Sequence, residues 1–95
     1  MGVTEFRDDD RGYLAWTGAH PHGYVLNIQR TLNPSDARIH RASCYTINGQ
    51  PARGKTWTEG TYIKVCSVSA PDRLAWARTH ASSQIPRCGA CRPAI

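Results

Sequence analysis

The feature that most constrains this chain is its set of four cysteines, two of which form a C-x-x-C motif, CGAC, near the carboxyl end. The small glycine in such a motif lets two thiolates converge on one metal ion, but two further ligands are needed. The other two cysteines each lie near the end of a predicted strand. We therefore predict a zinc site that ties the C-terminal segment onto a sheet, with these four ligands: Cys44, Cys66, Cys88 and Cys91.

The main alternative for one of these ligands is His40, four residues before Cys44, in which case Cys66 would be a small buried hydrophobe. Free thiols or a redox pair are further alternatives. A thioredoxin-like site does not fit, because there the motif opens a helix after a strand, whereas here Pro93 follows it. Four protein ligands fill the coordination sphere of zinc, so the ion is predicted to be structural and not catalytic.

Length and charge indicate a single basic domain over residues 1–95. A chain of 95 residues buries only a modest share of its apolar surface. A bound structural metal ion would supply additional stability. The formal charge is +5, and from residue 11 onward eleven Lys and Arg residues stand against three acids. This excess of positive charge predicts a polyanionic partner, most often nucleic acid. The alternative is that the basic residues simply form an ordinary solvated surface.

No run of residues approaches the roughly 18 apolar positions of a membrane span. The first ten residues, MGVTEFRDDD, are acidic where a signal peptide would be basic and then apolar. We therefore expect no membrane partner and a cytoplasmic protein, which its predicted nucleic-acid partner would place at the nucleoid. In a reducing compartment, metal ligands or free thiols are expected rather than disulfides.

The pattern along the chain predicts an α+β fold, in which a small antiparallel sheet is flanked by an N-terminal and a C-terminal helix. The first helix is expected from about residue 9 to 18, after acids suited to an N-cap. Strands are expected in GYVLNIQR, in ARIHRASCYTI and from about residue 61 to 67. The second helix has Ser69 as its cap and Pro71 in its first turn, and Trp16 and Trp76 are expected to anchor the core.

Residues 49–56, GQPARGKT, match the Walker A pattern G-x-x-x-x-G-K-[ST]. A phosphate-binding loop of this kind must lead directly into a helix. Here the following residues, WTEGTYIKVCS, have the composition of a strand, and no buried aspartate is available to hold magnesium. We interpret the stretch as a basic loop rich in glycine and proline instead.

The segments YLAW, HPHGYVLNIQR, HRASCYTI, YIKVC and CGAC together resemble a group of small bacterial domains, mostly actinobacterial, that occur alone or beside HNH-type nucleases. One member has been described as a DNA-binding protein specific for 5-methylcytosine. The resemblance extends over residues 6–92. It implies recognition of 5-methylcytosine in duplex DNA without cleavage, in a setting related to restriction.

A methyl group on cytosine can be detected by apolar contact in the major groove, or by flipping the base into an aromatic pocket. Aromatic and basic residues on or beside the strands and the 49–60 loop could serve either mode. Trp57 is the predicted aromatic contact to the base, and Arg53 and Lys55 are the predicted phosphate contacts. The full predicted DNA-binding set is Arg30, Arg41, Tyr45, Arg53, Lys55, Trp57 and Lys64.

We expect no catalytic activity. A nuclease site needs a general-base histidine and further metal ligands, whereas His20 and His22 flank a turn proline, His40 lies near Cys44, and His80 ends a helix with no acidic partner nearby. The cysteines are expected to bind metal, which leaves no cysteine nucleophile. The main alternative function is a protein-interaction or accessory module of a restriction or toxin–antitoxin system, which would need an exposed apolar patch. An enzyme acting on nucleic acid comes third.

Overall fold

The computed structural model of the protein describes residues 3–44, 47, 57–81 and 84–89. Within these ranges the chain forms, in order, β1 (Val3–Phe6), α1 (Asp10–Ala19), β2 (Tyr24–Gln29), β3 (Arg38–Arg41), β4 (Tyr62–Ser67) and α2 (Ala70–His80). The strands form one antiparallel sheet in the order β1-β4-β2-β3. The predicted α+β class, with two helices and an antiparallel sheet, is confirmed. No helix in the described part of the chain is long and apolar enough to cross a membrane.

Both helices begin where their capping residues predict. The side chain of Asp9 accepts the backbone amide hydrogen of Gly12 at the start of α1, and Ser69 accepts that of Asp72 at the start of α2. Each cap satisfies one of the four amides that an α-helix leaves unpaired at its N-terminus.

The two helices pack on opposite faces of the sheet. Alternate residues of each strand point to opposite faces, so Val25 of β2 joins Tyr13 of α1 in one core cluster, while Leu26 joins Trp76 of α2 in the other. Trp76 is buried and Trp16 is partly buried against the α1 cluster, which agrees with their predicted role as core anchors. We call the side that carries Val25 the α1 face and the opposite side the α2 face.

Two strands differ from the sequence prediction. β1 was not predicted, because VTEF is short and half polar, and it becomes a strand through its pairing with β4. The extended run predicted over residues 37–47 ends at Arg41. There the chain turns, with the amide of Ala42 donating to the carbonyl of Gly23 and that of Cys44 donating to the carbonyl of Arg41.

The chain that precedes β4 is fastened to the first turn of α1 by Asp10. Its carboxylate accepts the backbone amide hydrogens of Trp57 over 3.0 Å and of Thr58 over 2.6 Å, and also the Thr58 hydroxyl. Residues 57–61 then lead into strand β4 and not into a helix, as the interpretation against a nucleotide-binding loop requires. Residues 49–56 themselves lie outside the described residues.

Candidate metal centre

The first element of the centre is β3, which places His40 on the α1 face. His40 pairs with Val25 of β2, whose side chain lies in the core cluster of that face. After the turn at Ala42, Cys44 returns to the same cluster and is buried. The two residues of an H-x-x-x-C spacing are thereby placed side by side.

The second element is the segment after α2, which runs along the free edge of β3. The amide of Ile39 donates to the carbonyl of Pro86 over 3.0 Å, and the amide of Cys88 donates to the carbonyl of Ile39 over 2.7 Å. This is a parallel bridge between Ile39 and Arg87. Because neighbours along a strand alternate between faces, it turns Cys88 toward the face of His40.

Together these elements form a group of three buried metal-ligating side chains. The ligand atoms of His40, Cys44 and Cys88 all lie within 4.8 Å of one another. The two sulfur atoms are 4.0 Å apart, and two thiolates on a tetrahedral zinc ion with Zn–S bonds of about 2.3 Å would be about 3.8 Å apart. The group therefore has the spacing of three corners of a tetrahedral site.

His40 has the protonation state and the unpaired atom that a metal ligand needs. Its Nδ1 atom is buried and has no hydrogen-bond partner among the described residues. Burial lowers the pKa of His40 to about 4, and the positive charges of Lys64 and Arg38 act in the same direction. The imidazole is therefore neutral near pH 7, which is the form that binds metal.

The structure places Cys66 outside this group, although it was predicted as a ligand. Val25 pairs with His40 on one side and with Cys66 on the other, so Cys66 lies two strands away, about 10 Å along the sheet. It is 1% exposed in the α1-face core, and burial raises the pKa of its thiol. This placement fits the stated alternative, in which Cys66 is a small buried hydrophobe. Cys91 lies outside the described residues.

Lys64 and Trp57 also differ from their predicted role in DNA binding. Lys64 is 4% exposed, and its Nζ atom donates to Asn27 Oδ1 over 2.8 Å and to the Trp57 carbonyl over 2.6 Å. Burial lowers its pKa to about 8, although the charge of Asp10 opposes this. Trp57 is 7% exposed and packs against Tyr13. Both side chains belong to the interior, because β4 directs Lys64 toward the α1 face and Asp10 holds Trp57 there.

The remaining predicted DNA contacts fall into three groups. Arg30 is engaged within the protein, since its guanidinium donates to Asp8 over 3.0 Å and to the carbonyls of Thr58 and Gly60. Arg41 is exposed at the end of β3, next to His40. Three others lie outside the described residues: Tyr45, Arg53 and Lys55.

Sequence reasoning missed two exposed arginines beside the metal group. Arg38 lies two residues before His40, and Arg87 directly precedes Cys88. With Arg41, they place three exposed arginines on the β3 edge, each within two residues of a candidate ligand. We call Arg38, Arg41 and Arg87 the arginine edge. The sequence signal for these arginines was their position next to the candidate ligands. That signal could be used only after His40 had been recognised as a candidate ligand.

Comparisons of this chain with protein-family models, with curated proteins and with solved structures found no match.

Proposed function

We propose that the protein is a non-catalytic DNA-binding domain with a structural zinc ion, and that it recognises 5-methylcytosine in duplex DNA. The arginine edge carries the proposal. It lies where the metal group joins the C-terminal segment to β3, so a structural ion there would hold three cations in a fixed arrangement.

Among the described residues, one acid lies beside this edge: Asp36, two residues before Arg38, interacts with the charge of Arg38 and accepts hydrogen bonds from Gln29 and Tyr62. The acids of the N-terminal segment are engaged elsewhere. Asp10 bonds to backbone amides, Asp8 pairs with Arg30, and Glu5 accepts from Arg7 and from the Trp76 indole. These acids of the N-terminal segment are thus engaged within the domain, away from β3. Arg41 and Arg87 project toward the α2 face and Arg38 toward the α1 face. Arginines on both sides of this edge suit contacts to the phosphates of a duplex, which supply a large share of the affinity of a DNA-binding protein.

The donor set supports zinc as the metal. Two thiolates and an imidazole are ligands that zinc prefers, and Cys91 follows Cys88 at the C-x-x-C spacing, which would complete a Cys3His site. Four protein ligands leave no open position for a substrate, so the ion would be structural. Its contribution would be to fix the C-terminal segment on β3.

The alternative function, a protein-interaction module, requires an exposed apolar patch. Among the described residues, Val68 is the one exposed large hydrophobic side chain. A single valine does not form such a patch, so DNA binding is the better supported of the two functions.

Recognition of the methyl group rests on the resemblance to 5-methylcytosine-binding domains. Contact of the methyl group with an apolar surface would add about 0.8 kcal/mol, which corresponds to about a fourfold preference for methylated DNA.

A gel shift with one duplex, with and without 5-methylcytosine, at two salt concentrations, tests the proposal. We expect binding to both duplexes that weakens as salt rises, and an affinity at least about fourfold higher for the methylated one. Equal affinities would remove methyl recognition from the proposal. No binding at low salt would remove DNA binding altogether.

A further inference from the structure

Arg73 in α2 is a fully buried cation without a hydrogen-bond partner. Its side chain is 1% exposed, and none of its three guanidinium nitrogens bonds to any of the described residues. Buried polar groups are nearly always paired, and an unpaired buried charge is strongly destabilising. Since arginine stays protonated in proteins, the guanidinium calls for a counter-charge.

Among the described residues, no carboxylate bonds to the Arg73 guanidinium. The nearest acid in sequence, Asp72, lines a cleft with Val3 and Trp76 and does not bond to Arg73. The guanidinium carbon lies 5.9 Å from the centre of the Tyr24 ring, at the outer limit of a cation–π contact. Such a contact leaves the N–H groups unused. Tyr24 is itself half-buried. Because the guanidinium nitrogens are buried, an anion reaches them only if a neighbouring side chain such as Tyr24 moves.

Two further features make this end of the sheet attractive to an anion. Tyr24 pairs with Arg41 across β2 and β3, so the exposed Arg41 projects from the same face on which Arg73 lies over Tyr24. Arg73 also belongs to the first turns of α2, where its amide donates to the Ser69 carbonyl. The N-terminus of a helix carries a partial positive charge. Arg41 and Arg73 thus meet at Tyr24.

We propose that Arg73 anchors a binding site for a phosphate oxyanion, with Arg41 as its second, exposed cation. The planar guanidinium offers paired donors that match two oxygens of a phosphate group. In a DNA complex the ligand would be a backbone phosphodiester, and this part of the inference rests on the proposed function. Inorganic phosphate carries the same chemistry and tests the site without DNA.

The test is thermal melting of the full zinc-loaded chain in inorganic phosphate and in chloride at matched ionic strength. At phosphate concentrations about ten times the dissociation constant, we expect the wild-type midpoint to rise by roughly 5–10 °C. Arg73→Met should show no phosphate-specific rise. It should be at least as stable as the wild type in chloride, because methionine removes the uncompensated charge while keeping the volume. Arg78→Met, at an exposed position in the last turn of α2, is the matched control and should respond as the wild type does.

A wild-type protein without a phosphate-specific rise would overturn the site, as would an Arg73→Met variant that keeps the rise. If Arg73→Met does not fold, phosphate titration of the wild type followed at the Arg73 Nε–H resonance decides the question. A saturable shift of that resonance supports the site, and an unchanged resonance refutes it.

A DNA-binding assay run beside the phosphate melting test distinguishes failure of the anion site from failure of the proposed function. If phosphate stabilises the wild type but no duplex binds, the anion site stands and the proposed function fails. If the duplex binds but phosphate has no specific effect, the inference fails alone. Where both hold, Arg73→Met should lower the affinity for methylated and unmethylated duplexes by a similar factor and reduce the log–log salt slope by about 1.

Discussion

The sulfur atoms of Cys44 and Cys88 lie 4.0 Å apart although they come from distant parts of the chain. What holds them together is backbone pairing, since the Cys88 amide donates to the Ile39 carbonyl on β3. The short edge of β3 therefore carries both the metal group and the attachment of the C-terminal segment. We expect the attachment of the C-terminal segment to β3 to depend more on the metal ion than on burial of the segment's few apolar side chains.

We predict about one zinc ion per chain, with His40 and Cys44 as ligands. His40→Ala and Cys44→Ser should each lose zinc and melt at a much lower temperature, because binding of a structural metal contributes directly to folding. Metal analysis after gel filtration, together with thermal melting, gives both readouts.

Cys66→Ala is the matched control for this prediction. It removes a buried thiol from the same face of the sheet, so it should retain one zinc ion and lose only about 1 kcal/mol of stability. Zinc loss in Cys66→Ala, combined with zinc retention in His40→Ala, would restore the all-cysteine site.

Local signals predicted most of the secondary structure. Helix α1 runs over Asp10–Ala19 where 9–18 was expected, and α2 begins at its predicted cap, Ser69. Capping, helical periodicity and β-branched runs act within a few residues, so a single sequence reveals them. Strand β1 was missed because four residues with two exposed polar side chains become a strand only through pairing with β4.

The metal group shows why the rest could not be predicted. Choosing between Cys66 and His40 requires knowing that β2 lies between β4 and β3, which depends on the strand order and not on spacing. For the same reason Lys64 looked like a surface cation, whereas its strand register points it at Asn27 and the buried Trp57 carbonyl. The C-x-x-C motif indicated that the C-terminal segment attaches to the sheet, but not that it pairs with the edge of β3.

Asp10→Asn should destabilise the domain by about 1.5–3 kcal/mol, because an ionised carboxylate accepting several hydrogen bonds is replaced by an amide whose NH2 group faces donors. Denaturant unfolding in excess zinc measures the loss. Asp9→Asn is the matched control, since asparagine caps a helix as well as aspartate does, and it should change stability by less than about 0.5 kcal/mol. Equal effects of the two substitutions would show that the contacts of Asp10 to Trp57 and Thr58 contribute little.

The Asp10 carboxylate should also make the free energy of unfolding depend on pH. Burial raises the pKa of Asp10, but the hydrogen bonds from Thr58 and Trp57 outweigh this and hold it below its ordinary value of 3.8. A depressed folded-state pKa contributes stability that is present above the unfolded-state pKa and is lost as pH falls through the folded one. The stability difference between wild type and Asp10→Asn should therefore be constant near neutral pH and shrink below about pH 4. A difference that stays constant down to pH 2 would contradict this assignment.

Trp57→Ala should cost about 3–5 kcal/mol of stability, because the side chain is buried against Tyr13. Trp57→Phe keeps an aromatic ring in the core and should cost less. If Trp57 has only this packing role, any loss of DNA affinity in the folded Trp57→Phe variant should be the same for methylated and unmethylated duplexes. A selective loss of the methylated complex at an unchanged melting temperature would instead return Trp57 to the base-contacting set.

The arginine edge predicts a salt dependence that can be assigned residue by residue. If Arg38, Arg41 and Arg87 each neutralise a phosphate, the log–log slope of affinity against salt should include about −3 from this edge, and each Arg→Gln substitution should reduce the slope by about 1. Because all three side chains are exposed, each substitution should cost little stability. Melting temperatures measured beside the salt titrations show whether a variant is destabilised. Arg78→Gln, which removes an exposed charge at the far end of α2, should leave the slope unchanged. If all four substitutions reduce the salt slope equally, DNA affinity depends on net charge alone. The arginine edge would then not be the binding surface.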